Sequence, residues 1–316
     1  MISPFYSLAL SRDLLKVPLI LTLLGLIGIL PGCAGRLTFS SPEATSPQQF
    51  THEPSQDFYT DWSPDGRRIA IISDRSGAWN VWVIHSDGSS PVAFTSDHQA
   101  TSPSWSPDGS MITYATDRAS GMRFWTDLWI MRSDGSFSEP LIQTQTMKDL
   151  VPSWSPDGRY VAFLMLDMKA PPNWQIMLMD LESRKTSEIT RERIIFSRLA
   201  WGPGGKEIAF VSDRSGRPEL WIMDRQGRHA RPVTRDGAEK EHPDWSQDGK
   251  HIAFASKQSG NWDLWVVRPD GAGLKQVTTS PSTDTLPDWS PDGKKIAFTS
   301  DRSGNQDIWV MRVNSE

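Results

Sequence analysis

The pentapeptide Trp62-Ser63-Pro64-Asp65-Gly66 constrains the fold more than any other feature, because it recurs along the chain. Further copies begin, at intervals of 43, 49, 47, 44 and 44 residues, at Trp105, Trp154, Trp201, Trp245 and Trp289. The fourth copy reads Trp-Gly-Pro-Gly-Gly and the fifth Trp-Ser-Gln-Asp-Gly. Self-similarity at a nearly constant period in this range predicts a repeat architecture.

Each repeat contains four short patterns that are typical of β-strands. In the fifth repeat they are Pro243–Trp245, Ile252–Ser256, Asp263–Val267 and a fourth that begins at Gln276, with turn residues between them. Four antiparallel strands in one repeat predict a propeller blade. A second series of large residues marks the third strand, at Trp82, Trp129, Met177, Trp221, Trp265 and Trp309. We expect both series to pack one blade against the next.

The last repeat lacks its fourth strand, because the sequence stops at Glu316 soon after the third. The other repeats carry a fourth-strand pair that ends in Thr, and Phe50-Thr51 reproduces this pair 11 residues before Trp62. We therefore predict an all-β, six-bladed propeller over residues 49–316 in which Gln49-Phe50-Thr51 supplies the outer strand of the last blade.

The repeat resembles the TolB-type propeller repeat. The match is closest in Asp288–Gly293, Ile296–Phe298, Ser300–Arg302 and Asp307–Met311, and the resemblance covers about residues 49–316. It implies a non-catalytic, envelope-associated binding propeller. We expect neither the N-terminal α/β domain of TolB, for which the sequence leaves no room, nor a hydrolase, since no Gly-x-Ser-x-Gly elbow is present.

The N-terminal residues read as an export signal. Val17–Leu30 is an uncharged, mostly apolar run of 14 residues, which suits a secretory signal better than a membrane span. It ends in Leu30-Pro31-Gly32-Cys33, which resembles a lipoprotein lipobox apart from Pro31. We predict a signal peptide over residues 1–32, lipidation of Cys33 and a flexible tether over residues 33–48. The alternatives are an ordinary cleaved signal with Cys33 incidental, or an uncleaved short anchor.

Composition narrows the choice of partners. The formal net charge is −5, so the chain lacks the basic surface that nucleic-acid binding needs. Cys33 is the single cysteine, which excludes an intramolecular disulfide. The resemblance to the TolB-type repeat and the lipobox-like segment together imply a periplasmic, membrane-anchored protein that binds another envelope protein, and we expect it to be a monomer that needs no cofactor; a soluble periplasmic or secreted protein is the alternative.

A first candidate site consists of charged residues on the loops that enter the blades. The residue before the first-strand tryptophan is an aspartate in blades one, five and six, which are contiguous in a closed ring: Asp61, Asp244 and Asp288. The loop of blade four, roughly across the ring, carries Arg191, Arg193 and Arg198. Opposed acidic and basic sectors could orient a charged partner. Alternatively, the aspartates accept hydrogen bonds from loop backbone.

A second candidate surface is formed by tryptophans that precede the third strands, namely Trp79, Trp125, Trp174 and Trp262. Partly exposed tryptophans beside long loops suit contact with a protein or a sugar, although they could equally cover the turns.

A third possibility involves His52, His98 and His242, which lie in loops entering blades one, two and five. If these histidines converged on a metal, the channel mouth could serve a carbohydrate-binding or sugar-acid lyase propeller. Scattered surface histidines are the alternative, because the local spacing of a metal site is missing.

Overall fold

The computed structural model describes residues 46–96, 99–118, 126–144, 147–167, 173–190 and 194–313. The predicted signal peptide, Cys33 and most of the predicted tether lie outside the described residues. Within the described part, no helix is long and apolar enough to cross a membrane.

Six four-stranded antiparallel sheets make up the described chain, and each is one blade. The strands of blade one are β2 (Asp57–Trp62), β3 (Arg68–Ser73), β4 (Asn80–His85) and β5 (Val92–Ala93). Those of blade two are β6 (Ala100–Trp105), β7 (Met111–Thr116), β8 (Asp127–Arg132) and β9 (Ser138–Ile142). Those of blade three are β10 (Met147–Trp154), β11 (Tyr160–Asp167), β12 (Asn173–Asp180) and β13 (Lys185–Glu188).

The remaining three sheets follow the same order. Blade four contains β14 (Ala200–Trp201), β15 (Glu207–Ser212), β16 (Glu219–Asp224) and β17 (Arg231–Pro232). Blade five contains β18 (Lys240–Trp245), β19 (Ile252–Ser256), β20 (Asp263–Val267) and β21 (Lys275–Gln276). Blade six contains β22 (Asp284–Trp289), β23 (Lys295–Ser300), β24 (Asp307–Arg312) and, from the start of the chain, β1 (Gln48–Gln49).

The N-terminal strand completes the sixth blade, as predicted. Gln48 and Gln49 pair antiparallel with Val310 and Trp309, and the Phe50 amide continues the ladder by donating to the Ile308 carbonyl. The Thr51 hydroxyl accepts the Ile308 amide at 2.9 Å. The two ends of the array are thus joined within one sheet, in which β1 covers the outer side of β24.

Both tryptophan series lie where the repeat predicts, between blades. Trp245 packs in a buried cluster with Leu220 of blade four, and Trp289 packs with Leu264 of blade five. The third-strand residues Trp265 and Trp309 pack, partly buried, against the same two clusters. Because a single small sheet cannot bury its own faces, these rings supply much of the contact that holds neighbouring blades together.

The recurring motif forms a tight turn between the first and second strands. In blade one the Ser63 hydroxyl donates to Asp65 at 2.6 Å, Asp65 also accepts the Arg67 amide, and Gly66 has a φ of 67° that suits glycine. The same serine-to-aspartate bond recurs at Ser106, Ser155, Ser246 and Ser290. The surface formed by these turns is called the motif face below.

The opposite surface, called the loop face below, consists of the loops that enter the first strands and the turns between the second and third strands. These segments are tied together by backbone amides that donate to turn aspartates, Gln56 to Asp74 at 2.8 Å and Thr283 to Asp301 at 2.8 Å. The aspartates of the turns between the second and third strands therefore have a structural role.

An irregularity in the first strands brings particular side chains together at the ring axis. The residue three positions before the tryptophan has a positive φ in five blades, at Tyr59, Ser102, Val151, His242 and Leu286, and the strand register shifts there. Arg198 occupies the equivalent position in blade four. Members of this set from different blades contact one another, which places them around the central channel.

Candidate functional site: the central channel and the loop face

Arg198 reaches across the channel from blade four to blades one and six. Its Nη2 lies 3.3 Å from Asp61 Oδ1 and 3.7 Å from Asp288 Oδ1, and its Nη1 donates to the Pro287 carbonyl at 3.4 Å. Its guanidinium carbon lies 5.0 Å from the centroid of the Tyr59 ring. Arg198 is only 8% exposed, so these contacts form in a largely desolvated space.

The three aspartates each use one carboxylate oxygen to join their blade to the next. Oδ2 of Asp61 accepts the Trp105 amide at 2.6 Å, and Oδ2 of Asp244 accepts the Trp289 amide at 2.6 Å. Oδ2 of Asp288 closes the series by accepting the Trp62 amide at 3.1 Å. The aspartates therefore have a structural role, although the bonded amides belong to the next blade rather than to the local loop.

The charges of this cluster are strongly coupled. Burial raises the pKa of Asp61 to about 7, although the Arg198 charge acts in the opposite direction. Burial also raises the pKa of Asp244, and it raises the pKa of Asp288 well above its usual range. Burial alone would lower the pKa of Arg198, but the neighbouring acids outweigh it and keep this side chain charged. Three carboxyl groups thus share one guanidinium and bind protons more tightly than in an unfolded chain.

His242 lies in the same cluster and is held neutral. Its backbone amide donates to the Ser197 hydroxyl at 2.6 Å, and its Nδ1 accepts the Arg198 amide at 3.3 Å. Burial, aided by the Arg198 charge, lowers the pKa of His242 to about 3. A ring with this pKa is a poor general base near neutral pH.

The structure places the remaining predicted site residues as follows. Arg191, Arg193, Trp125 and His98 lie outside the described residues. His52 is exposed whereas His242 is buried. Among the described residues, no group of three or more His, Cys, Asp or Glu side chains is arranged to hold a metal ion.

Trp79, Trp174 and Trp262 are partly exposed on the loop face and also contact the following blade. The carbonyls of Trp79 and Trp262 accept the amides of Ala100 and Asp284 at 2.9 Å each. The Trp174 ring lies 5.0 Å from the Phe196 ring. Each of these residues therefore combines a structural contact with some accessible aromatic surface.

Sequence reasoning missed the part that Tyr59 plays in the channel. Burial raises the pKa of its hydroxyl to about 12, so the ring stays neutral against Arg198. The sequence did contain a signal for this role, because the residue three positions before the first-strand tryptophan differs from one repeat to the next. Those positions become neighbours once the ring closes.

These observations define the protein as a six-bladed β-propeller whose channel is crossed by an arginine–aspartate cluster. The family model described as TolB beta propeller domain matches residues 41–170, 146–259 and 239–316. The chain belongs to this family, which confirms the resemblance inferred from the repeat.

Individual relatives agree with this assignment. The Tol-Pal system protein TolB of Anaeromyxobacter sp. (strain K) is 42% identical over 48 residues, which is 15% of this chain and 11% of that protein. The match therefore spans about a tenth of that relative.

Two solved structures share the fold. TolB from Acinetobacter baumannii has a TM-score of 0.66 and 23% identity over 83% of this chain and 64% of that chain. An oligogalacturonate lyase in complex with manganese has a TM-score of 0.60 and 14% identity over 88% of this chain and 96% of that chain. At these identities the likeness concerns the fold alone.

Proposed function

We propose that this protein is a non-catalytic propeller of the bacterial cell envelope that binds another envelope protein through its loop face. Family membership supports the class of function, since the Anaeromyxobacter relative is a Tol-Pal system protein. The observation that carries the proposal is that the charged and polar side chains described in the channel already bind one another or the backbone of a neighbouring blade.

The loop face is the better candidate for partner contact. The tryptophans at positions 79, 174 and 262 offer partly exposed aromatic surface there, and such residues dominate the energetics of many protein interfaces. The motif face, by contrast, is built from repeated turns whose serine and aspartate side chains bond each other. A partner that reads irregular features would find more of them on the loop face.

A carbohydrate-binding or lyase propeller is the second candidate, and the shared fold with an oligogalacturonate lyase favours it. Two observations weigh against it in the described residues. His242 is buried, neutral and bonded to Ser197 and Arg198, and Arg198 already pairs with Asp61 and Asp288. We therefore assign no catalytic residue.

Photo-cross-linking in cells tests the choice of face. A photoreactive amino acid replaces either Trp262 on the loop face or the 59%-exposed Phe137. Phe137 lies on the motif face, in the turn between β8 and β9, which is bonded to the motif turn of blade two through the Ser133 amide and the Ser110 carbonyl. We expect a discrete protein adduct from position 262 and none from position 137, with both variants present at wild-type level. Adducts from position 137 alone would contradict the proposal.

We also propose that residues 1–32 are a signal peptide, that lipidated Cys33 anchors residues 33–48 as a tether, and that the propeller is a monomer facing the periplasm. Stable anchoring needs two or more acyl chains, and in this proposal the acylated Cys33 supplies them. Cys33→Ser removes the acylated residue and should therefore release the protein into the soluble periplasmic fraction. A variant that remains in the membrane fraction after a high-salt wash would refute the anchor.

A further inference from the structure

The interfaces between blades contain a recurring polar position near the loop face. Three residues form it in each interface. The first blade contributes the residue two positions before its third-strand tryptophan and a Thr of its fourth strand. The next blade contributes the residue five positions before its first-strand tryptophan. In the interface between blades six and one these are Asp307, Thr51 and Asp57. Here Arg75 forms an ion pair with Asp57 at 2.8 Å.

Two other interfaces also contain a base that pairs with an acid. Between blades five and six, Asp284 pairs with Arg302 at 2.7 Å, close to Asp263. Between blades four and five the cation comes from the fully buried Lys240, whose Nζ lies 3.1 Å from Glu219. Each of these three interfaces therefore contains a base that pairs with one of its buried acids, which offsets part of the cost of burying charge.

Two further interfaces avoid the charge. Between blades one and two the equivalent residues are Asn80 and Ala100, and the Asn80 side chain accepts the Thr95 hydroxyl at 2.9 Å. Between blades three and four they are Gln175 and Phe196. The ring thus uses either an acid with a base or neutral residues at this position.

The interface between blades two and three follows neither rule. Its acids are Asp127 and Asp149, which are 4% and 0% exposed. Both contact Thr144, whose amide donates to Asp127 Oδ1 at 2.9 Å and whose hydroxyl lies 3.3 Å from Asp149 Oδ2. In blade three the repeat position that corresponds to Arg75 holds Asp167, so the sequence has an acidic residue where blade one has the arginine.

Asp149 Oδ1 is a buried oxygen for which the described residues supply no hydrogen-bond partner, although Asp149 is fully buried. Within the described part of the chain, no basic side chain lies at ion-pair distance from Asp127 or Asp149. Burial and the Asp127 charge raise the pKa of Asp149 to about 7. A nearby positive charge would oppose this rise.

We propose that the interface between blades two and three binds a divalent metal cation through the carboxylates of Asp127 and Asp149. Two carboxylates balance the charge of one such ion, and the Thr144 hydroxyl offers a third oxygen. Hard cations such as Ca²⁺ accept this type of oxygen ligand and complete their coordination with carbonyls and water. The ion would replace the arginine or lysine of the other charged interfaces.

Calorimetric titration of the full-length, chelator-treated protein with CaCl₂ tests the proposal. We expect a site of stoichiometry one that Asp149→Asn or Asp127→Asn weakens by roughly tenfold or more, since even residues behind the metal ligands commonly contribute that much. The matched control is Asp263→Asn, which alters the equivalent acid of an interface that has its own arginine and should leave the affinity unchanged.

A double variant separates this site from the channel. Asp127→Asn with Asp149→Ala installs the Asn and Ala that blades one and two use. In the presence of chelator, the unfolding temperature of the double variant should be at least as high as that of the wild type. Ca²⁺ should raise the unfolding temperature of the wild type but not that of the double variant. Asp288→Asn should keep the calcium response, since it alters the channel only. The proposal is overturned if the double variant still binds Ca²⁺, or if the wild type binds none.

Discussion

Replacing Arg198 by Met removes the one base described in the channel cluster while keeping an unbranched side chain. Asp61 and Asp288 then stay buried without their common partner. Removing one member of a buried ion pair typically costs ~3–5 kcal/mol of unfolding free energy. We expect a loss of this size at pH 8. At that pH the buried carboxyl groups either carry a charge without a partner or stay protonated although the pH is above their pKa in water, and both states cost folding free energy.

The pH dependence of this loss follows from the raised pKa of the acids. A carboxyl whose pKa is higher in the folded state binds more protons there, so stability falls as pH rises from the ordinary pKa to the folded one. For Asp61, the interval from 3.8 to about 7 corresponds to ~4 kcal/mol in the wild type. Because Arg198 opposes this rise, its removal should raise the folded pKa further, and the deficit of the variant should grow between pH 5.5 and 8.

Urea denaturation followed by tryptophan fluorescence at four pH values measures the effect. Arg231→Met is the matched control, because Arg231 is 45% exposed and pairs with the exposed Glu207 at 3.4 Å. This exposed pair should contribute less than ~1 kcal/mol at every pH. Adding Asp288→Asn to Arg198→Met should restore part of the stability, since Asn keeps an oxygen for the Trp62 amide. A pH-independent loss below ~1 kcal/mol for Arg198→Met would refute the reasoning.

Three further outcomes are expected. Trp289→Ala should lower the unfolding free energy by ~3–5 kcal/mol, because the ring is 6% exposed between two blades; a loss under ~1 kcal/mol in urea denaturation would contradict this packing role. Thr51→Val should cost ~1–3 kcal/mol and accelerate hydrogen exchange of the Ile308 amide, since the Thr51 hydroxyl accepts that amide and donates to Asp307; unchanged exchange would argue against ring closure by this strand. The ring protons of His242 should show no titration by NMR between pH 5 and 8, because its pKa is about 3, and a midpoint in that range would contradict its buried, neutral state.

The sequence determines the blades more directly than the channel. The spacing of Trp62 and its equivalents, together with Phe50-Thr51, was enough to predict six blades and their closure, because strands and turns depend on local patterns. The contact between Arg198 and Asp61 joins residues 137 apart and depends on the curvature of the ring. The sequence showed opposed charges, but it could not show that they meet.

The charge imbalance at Asp127 and Asp149 was equally hard to predict from one repeat. It becomes visible only when equivalent positions of all six interfaces are compared, and that comparison needs the strand register. The sequence does signal the imbalance, because Asp167 stands at the repeat position that Arg75 holds in blade one. The longer strands of blade three make the repeats hard to align at that point.

The affinity of the cross-linked partner for surface variants tests the central claim most directly. Trp262→Ala and Trp79→Ala should each weaken binding by roughly tenfold or more, since truncation of an aromatic anchor commonly costs over ~1.4 kcal/mol. Phe137→Ala on the motif face should leave the dissociation constant within about twofold of the wild type, in line with a position outside the interface. Circular dichroism confirms that each variant is folded. Binding that Phe137→Ala weakens and both tryptophan variants leave unchanged would contradict partner recognition by the loop face.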